Sequence, residues 1–210
     1  GGGSRTPNGP VYDSQTGRLI VGEQLGELWT INASGGAPSR FAGPVMIGGG
    51  GCTTTHPPGR TGTAPGANCT GSGGSFGIAD SVILDGSVGK VFAFSGNDGT
   101  NGASAVVVQL NEDLTGLVRV RVGRGSVGAT TANWNLHSGA FDDAYYGGNP
   151  SSGHLFMCGT GATDTQPWHY WIGFTGYPAM NPAPSGSLLR YAVNNLPCAP
   201  YTELFNPNIT

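Results

Sequence analysis

Two short stretches of the sequence carry carboxylates close enough together to bind a cation or to exchange protons. Asp142 and Asp143 are adjacent, and Asp98 lies in the polar stretch 97–102. Oxygen ligands at short spacing suit Ca²⁺, and paired carboxylates suit acid–base catalysis. Neighbouring residues of a strand point to opposite faces, however, and the polar stretch lacks the distal Glu of an EF-hand. We therefore expect Asp98 in a hairpin turn and one Asp of the pair capping a turn, with Ca²⁺ at these residues as the alternative and no other cofactor.

The histidines and serines give no catalytic or zinc-binding pattern. The four histidines lie in separate segments and show no H-x-x-x-H or Cys/His ligand spacing, which argues against a zinc site. His137, Ser138 and Asp142 supply the residue types of a catalytic triad, but no Gly-x-Ser-x-Gly elbow surrounds the serine. We therefore predict no catalytic residue and a protein that is not an enzyme.

The aromatic run 168–174 is the strongest candidate for a binding surface. By the two-residue period of a strand, Trp168 and Tyr170 share one face and Trp171 lies on the other. Aromatic rings stack on sugars and cover protein partners, although packing between sheets is their commoner use. We name Trp168, Tyr170 and Trp171 as candidate ligand-binding residues, with a glycan as the candidate ligand.

The cysteines indicate the compartment. Cys52 and Cys69 lie in a stretch rich in Gly, Thr and Pro, and Cys158 and Cys198 lie in later strand-like segments. The absence of C-x-x-C and the scarcity of charges fit two disulfides in an oxidising environment. Other pairings are formally open, but we favour Cys52 with Cys69 and Cys158 with Cys198, in a secreted protein that is extracellular or periplasmic. Because the first residue is Gly1 and not Met, we also expect a processed or partial product.

Short strands joined by glycine-rich turns must position these residues. Only 10% of the 210 residues are charged, the net charge is −3, and 39 residues are Gly. The hydrophobic residues gather in short runs, which favours a folded all-β domain with long Gly/Pro-rich loops over a disordered chain. Arg119, Arg121 and Arg124 are the one basic cluster, and they alternate with valines as on the solvated face of a strand. We expect no nucleic-acid partner and, without a long apolar run, no membrane span.

One segment recurs along the chain. Residues 10–22 and 82–94 each contain an apolar strand, an Asp, a small turn ending in Gly, a basic residue and a second apolar strand. This order is typical of a β-hairpin, because Asp bonds to the backbone of the turn and Gly accepts a positive φ. A looser third copy has its first strand at 144–146 and its second at 153–159. We predict one all-β domain over 1–210. Its antiparallel repeat units are expected at 10–33, 80–123, 136–175 and, as a partial unit, 187–210, with a surface-loop insertion at 34–79.

The segment 26–32, Gly-Glu-Leu-Trp-Thr-Ile-Asn, follows the first repeated hairpin. It resembles the strand Gly-x-Leu-Tyr-x-hydrophobic-Asp/Asn that recurs in each blade of secreted bacterial β-propellers of the quinoprotein-like and YVTN type. Residues 153–159, followed by the strand at Trp168, look like another such blade. The resemblance implies a β-propeller or a propeller fragment of about three and a half blades. Because so few blades do not close an ordinary ring, either a longer precursor holds the others or neighbouring subunits complete the sheet.

The repeats, the low charge and the lack of a catalytic pattern predict a non-catalytic structural or binding protein in a larger assembly or filament. Self-association is expected through open strand edges, at the terminal strand 201–205 and at the segment 10–21, because unpaired edges recruit other chains. One alternative, which the resemblance implies, is a fragment of a propeller enzyme of the quinoprotein or lyase type. The other is a carbohydrate-binding adhesin that uses Trp168, Tyr170 and Trp171.

Overall fold

The regular secondary structure of the described residues is almost all antiparallel β-sheet, as the sequence predicts. The computed structural model describes residues 7–23, 26–47, 77–98, 104–125, 136–147, 149–189 and 198–202. These residues form three four-stranded antiparallel sheets, and the one α-helix among them is four residues long. Neighbouring strands in each sheet are consecutive in the chain, so each sheet is a meander of hairpins.

The first sheet contains the first repeated hairpin. Its strands are β1 (Val11–Asp13), β2 (Arg18–Gly22), β3 (Glu27–Asn32) and β4 (Ser39–Met46). Asp13 closes the hairpin turn, because its Oδ1 accepts the backbone N–H of Gln15 at 2.9 Å. Gly17 takes a φ of 70°, and Asp13 lies opposite Arg18 in the strand ladder. The predicted hairpin is therefore confirmed.

Strand β4 corrects the prediction of a surface loop over 34–79. The Gly and Pro content of this stretch suggested a loop, but residues 39–46 pair with β3. A bulge makes the pairing feasible: Gly43 has a φ of 96°, and a Cβ at this position would lie 2.6 Å from the carbonyl oxygen of Leu28. Pro44 is tolerated because β4 is an edge strand. Residues 48–76 of the predicted insertion lie outside the described residues.

The second sheet repeats the same hairpin. Its strands are β5 (Ile83–Asp85), β6 (Lys90–Ser95), β7 (Ala105–Asn111) and β8 (Val118–Val122). Asp85 lies opposite Lys90, and its Oδ1 accepts the backbone N–H of Ser87 at 3.1 Å. Two turns of one design thus come from the two copies of the repeated segment.

The third sheet begins four residues earlier than the third copy of the hairpin was expected to begin. Its strands are β9 (Ala140–Phe141), β10 (His154–Thr160), β11 (Pro167–Gly173) and β12 (Ser185–Leu188). The prediction of a strand at 144–146 is wrong, because these residues lie in helix α1 (Asp143–Tyr146). Asp142 caps the helix by accepting the backbone N–H of Tyr145 at 3.0 Å. The helix and a 3-10 turn, Pro150–Ser152, replace the short turn of the other two hairpins.

The fourth strand of the third sheet overlaps the predicted partial unit 187–210. Strand β12 ends at Leu188 and pairs with β11, so this part of the predicted unit belongs to the third sheet. Of the predicted terminal strand 201–205, Tyr201 and Thr202 are described and have no strand pairing, and 203–205 lie outside the described residues.

The three sheets stack through two faces that can be defined in the same way in each. In every sheet, the first hairpin has an Asp opposite a basic residue. We call the sheet face that carries these two side chains the forward face, and the opposite sheet face the rear face. Ile20, on the forward face of the first sheet, packs against Val91 and Leu110 on the rear face of the second. Phe92, on the forward face of the second sheet, packs against Leu155 on the rear face of the third.

We call these contacts joint 1, between the first and second sheets, and joint 2, between the second and third. Polar side chains cross both joints. In joint 1 the Thr30 hydroxyl donates to the carbonyl oxygen of Glu112 at 2.8 Å, and the Arg18 guanidinium donates to the Glu112 carboxylate at 3.2 Å. In joint 2 the Tyr145 hydroxyl donates to Oδ2 of Asp85 at 2.8 Å. Both joints therefore combine apolar packing with specific hydrogen bonds.

Candidate functional site

The acidic residues considered for Ca²⁺ lie in different sheets and make local contacts. Asp98 follows β6 and is buried, with its Oδ2 2.8 Å from Nε of Arg121 on β8. Asp142 serves as the cap of α1, and its Oδ2 lies 3.0 Å from Nδ1 of His154. Asp143 is the first residue of the same helix. Within the described ranges, no group of three or more His, Cys, Asp or Glu side chains could hold a metal ion.

The residue types of a catalytic triad are used for structure. Nδ1 of His137 lies 2.8 Å from Oδ2 of Asp80, and the backbone N–H of Ser138 donates to the same oxygen at 2.9 Å. The carboxylate of Asp142 pairs with His154 and not with His137. Asp80 therefore ties the segment before β5 to the segment before β9, beside joint 2.

The three aromatic candidates are divided between the two faces of the third sheet. Trp168 and Tyr170 are on the rear face, in joint 2, where the Tyr170 hydroxyl donates to the carbonyl oxygen of Thr160 at 3.1 Å. Burial raises the pKa of Tyr170 to about 12, so its hydroxyl stays protonated at neutral pH. Trp171 is half-buried on the forward face. Trp168 and Tyr170 therefore share no surface with Trp171.

Trp171 belongs to a cluster of rings on the forward face of the third sheet. Phe156 lies opposite Trp171 in the ladder, and the His169 ring stacks on Phe156 with centroids 5.3 Å apart. His169 also lies 5.6 Å from the Trp171 ring, and its Nδ1 is 2.8 Å from the Tyr201 hydroxyl. We call Phe156, His169, Trp171 and Tyr201 the forward aromatic surface. From this set the sequence predicts Trp171 as a ligand-binding residue and Tyr201 as part of a self-association strand, 201–205. The strand period at 154–160 could have added Phe156.

A disulfide brings Tyr201 to this surface. Cys158 on β10 is bonded to Cys198, with Cα atoms 5.5 Å apart, and this predicted pairing is confirmed. The backbone N–H of Tyr201 donates to the carbonyl oxygen of Ser138 at 3.1 Å, beside β9. The other predicted pair, Cys52 with Cys69, lies outside the described residues. The segment 198–202 therefore lies against the forward face of the third sheet, where the disulfide and the Tyr201 hydroxyl reach its two central strands, β10 and β11.

The forward aromatic surface is uncharged and only shallowly concave. A cavity of about 230 Å³ opens beside Tyr201. It is lined by Ala140, Phe141, Phe156, His169, Tyr201 and Thr202. This volume is below the roughly 300–1,000 Å³ of pockets that enclose a drug-sized ligand. Burial lowers the pKa of His169, so its ring is neutral at neutral pH and suits contact with apolar groups.

The opposite end of the stack carries a second apolar surface. On the rear face of the first sheet, Leu19 lies opposite both Tyr12 and Ile31, and Val21 lies opposite Trp29. The Tyr12 side chain is 55% exposed and the other four are half-buried. We call these five residues the rear apolar surface. Their alternation along the strands was visible in the sequence, but which face the second sheet would cover was not.

The arginines of strand β8 follow the predicted alternation. Arg121 is 61% exposed and lies between Val120 and Val122, which are buried in joint 2. Arg119 is half-buried, and burial lowers the pKa of its guanidinium. The carboxylate of Asp98 neutralises part of the charge of this pair, because it lies beside Arg121. The strand therefore has one apolar and one charged face.

Comparison of the chain with protein-family models, with curated proteins and with solved structures finds no match. Among the described residues, no helix has the length and apolarity to cross a membrane.

Proposed function

We propose that the protein is an extracytoplasmic, non-catalytic β-repeat protein that assembles with other copies of itself. The observation that carries this proposal is the stacking of three sheets by one repeated contact, with apolar side chains on the outer face at each end of the stack. Apolar patches rimmed by polar residues mark interaction sites. The disulfide between Cys158 and Cys198 supports an oxidising compartment.

In this proposal the three sheets are blades of a propeller-type array. Each sheet is a four-stranded meander, and consecutive meanders pack face to face, as propeller blades do. A role in assembly is favoured over an enzymatic role because buried acidic side chains bind other side chains. Glu112 binds Arg18 across joint 1, and Asp85 binds Tyr145 across joint 2.

The test is the native mass of the unreduced chain, measured by light scattering over a wide range of concentration. We expect a mass that is a multiple of one chain and that persists at high salt, because apolar contacts are not screened by ions. The same measurement with a denaturant below the unfolding transition serves as the control for disulfide-linked aggregates. A single-chain mass at every concentration would contradict the proposal.

A further inference from the structure

Joint 1 and joint 2 are formed by the same two kinds of sheet face, in the same order along the chain. In each, the forward face of a sheet packs on the rear face of the next sheet along the chain. A contact between two different faces of a repeated unit is heterologous, so every added unit leaves the same two faces at the ends. In this chain the end faces carry the rear apolar surface and the forward aromatic surface, and no described strand packs on either. Segment 198–202 lies against part of the forward face, at Cys158 and His169, and contributes Tyr201 to it.

The forward aromatic surface includes Phe156, and the residue at the equivalent position of the second sheet is fully buried. Phe156 stands two residues after His154, the basic residue opposite the hairpin Asp. In the second sheet Phe92 stands two residues after Lys90 in the same way, and it is completely buried in joint 2. Phe156 is half-buried on a face of the same type. The third sheet thus offers a joint surface that no sheet among the described residues covers.

The rear apolar surface includes Leu19, and the residues at the equivalent position of the other two sheets are fully buried. Leu19 holds in the first sheet the position of Val91 in the second and Leu155 in the third, directly after the basic residue of the hairpin. Val91 and Leu155 are completely buried, in joint 1 and joint 2, whereas Leu19 is half-buried. The first sheet therefore has a rear face built to receive a forward face.

From these positions we propose that the forward aromatic surface of one chain binds the rear apolar surface of a second copy of this chain, as a joint between molecules. This inference rests on the proposed self-assembly and names the surfaces that carry it. Tyr201, whose hydroxyl contacts His169, is the residue that segment 198–202 contributes to this surface. The contact is between sheet faces, whereas the sequence led us to expect paired strand edges. A heterologous contact closes into a ring or continues as a filament, according to the rotation between copies.

The experiment uses two variants that each place a charge in one surface. Trp29→Glu alters the rear apolar surface, and Trp171→Glu alters the forward aromatic surface. Each variant alone is expected to associate roughly a hundredfold more weakly than the wild type, because the joint would bury an unpaired charge. An equimolar mixture is expected to form dimers and nothing larger, since each chain keeps one intact surface. Analytical ultracentrifugation measures both results, and Ile31→Glu with Phe156→Glu is a second pair should either tryptophan variant fail to fold.

A strand-edge variant is the control. The backbone N–H of Leu189 donates to Pro167 on β11 at 3.2 Å, so the N–H of Leu188 points away from β11, toward the outer edge. Leu188→Pro removes this donor without touching either surface, and wild-type association is expected. Association that is lost in Leu188→Pro but kept in both glutamate variants overturns the inference while self-assembly stands. Failure of the two variants to form dimers when mixed also overturns it. A wild-type chain that never associates overturns the proposed function itself.

Discussion

Joint 1 is built from aliphatic side chains, whereas joint 2 is built around aromatic rings. Joint 1 packs Ile20 and Leu28 against Val91 and Leu110. Joint 2 packs the rings of the third sheet and of α1 around Phe92, which has Phe141 at 5.0 Å between centroids. Both use the same faces of equivalent strands. The repeat therefore determines which faces meet, and the residues at those positions determine how the space between them is filled.

Asp13 and Asp85 hold equivalent positions in the first and second sheets, and they also share one role and differ in another. Asp13 and Asp85 each use one carboxylate oxygen to close their own hairpin turn. The second oxygen of Asp13 accepts the hydroxyl of Thr16 in that same turn, whereas the second oxygen of Asp85 accepts the hydroxyl of Tyr145 across joint 2. Tyr145 is in position because α1 replaces the short turn in the third hairpin. One insertion thus converts a local hydrogen bond into a contact between sheets.

The largest effect is expected from removing the central ring of joint 2. Phe92→Ala is expected to lower the free energy of unfolding by about 3–5 kcal/mol, because it leaves a cavity among rings that cannot close up. Urea unfolding measures the change. Leu110→Ala is the matched variant in joint 1, on the adjacent strand, and is expected to cost about 2–5 kcal/mol. A loss below about 2 kcal/mol in Phe92→Ala would mean that the rings of joint 2 do close the cavity.

The second-largest effect is expected from removing the Cys158–Cys198 disulfide. Among the described residues, only the third sheet carries such a cross-link. Replacing Cys158 and Cys198 by Ser together is expected to lower the free energy of unfolding by about 2–4 kcal/mol, because the bond closes a segment 40 residues long. The double variant is preferable to chemical reduction, which would also reach Cys52 and Cys69. Unchanged unfolding in the double variant would mean that Tyr201 and its hydrogen bonds hold the segment alone.

The first two hairpins could be predicted because each is determined by local sequence. An Asp, a short turn, a Gly and a basic residue specify a hairpin whatever surrounds it. The third hairpin departed from this pattern because Asp142 is followed by residues that can form a helical turn and not by a Gly-containing turn. Strand β4 was missed because Gly43 and Pro44 read as loop residues, while a bulge and an edge position accommodate both.

The candidate surfaces depended on packing, which the sequence could not supply. The strand period predicts that Trp171 lies on the opposite face from Trp168 and Tyr170, and the structure confirms it. The period gave no means of telling which of the two faces the second sheet would cover. Tyr201 reaches the forward face through a disulfide and a hydrogen bond to His169, which is a long-range contact with no local signal.

A smaller effect is expected from the hydrogen bond that distinguishes the two aspartates. Tyr145→Phe keeps the ring that stacks on Phe141 but removes the donor to Asp85, which is 7% exposed. A buried acceptor left without its partner costs about 1–3 kcal/mol, and we expect that loss in urea unfolding at neutral pH. The matched control is Thr30→Val, which removes the donor to Glu112 across joint 1. If Thr30→Val lowers the free energy of unfolding by as much or more, joint 1 depends on its polar contact at least as strongly as joint 2 does.

The smallest effect is a pH dependence that comes from Asp13 in the turn of the first hairpin. Burial alone would raise the pKa of Asp13, but hydrogen bonds from the Thr16 hydroxyl and the backbone N–H of Gln15 outweigh it, and the pKa lies below its ordinary value. A carboxylate whose pKa is lowered by folding stabilises the native state above about pH 3.9, and the contribution is lost as the pH falls through the folded-state pKa. Asp13→Asn should therefore flatten the loss of stability in this acid range and leave the slope near neutral pH unchanged. NMR titration of the Asp13 carboxyl carbon gives the direct measurement. A midpoint above about 3.9 would mean that burial outweighs the turn hydrogen bonds and that the Asp13 carboxylate destabilises the native state at neutral pH.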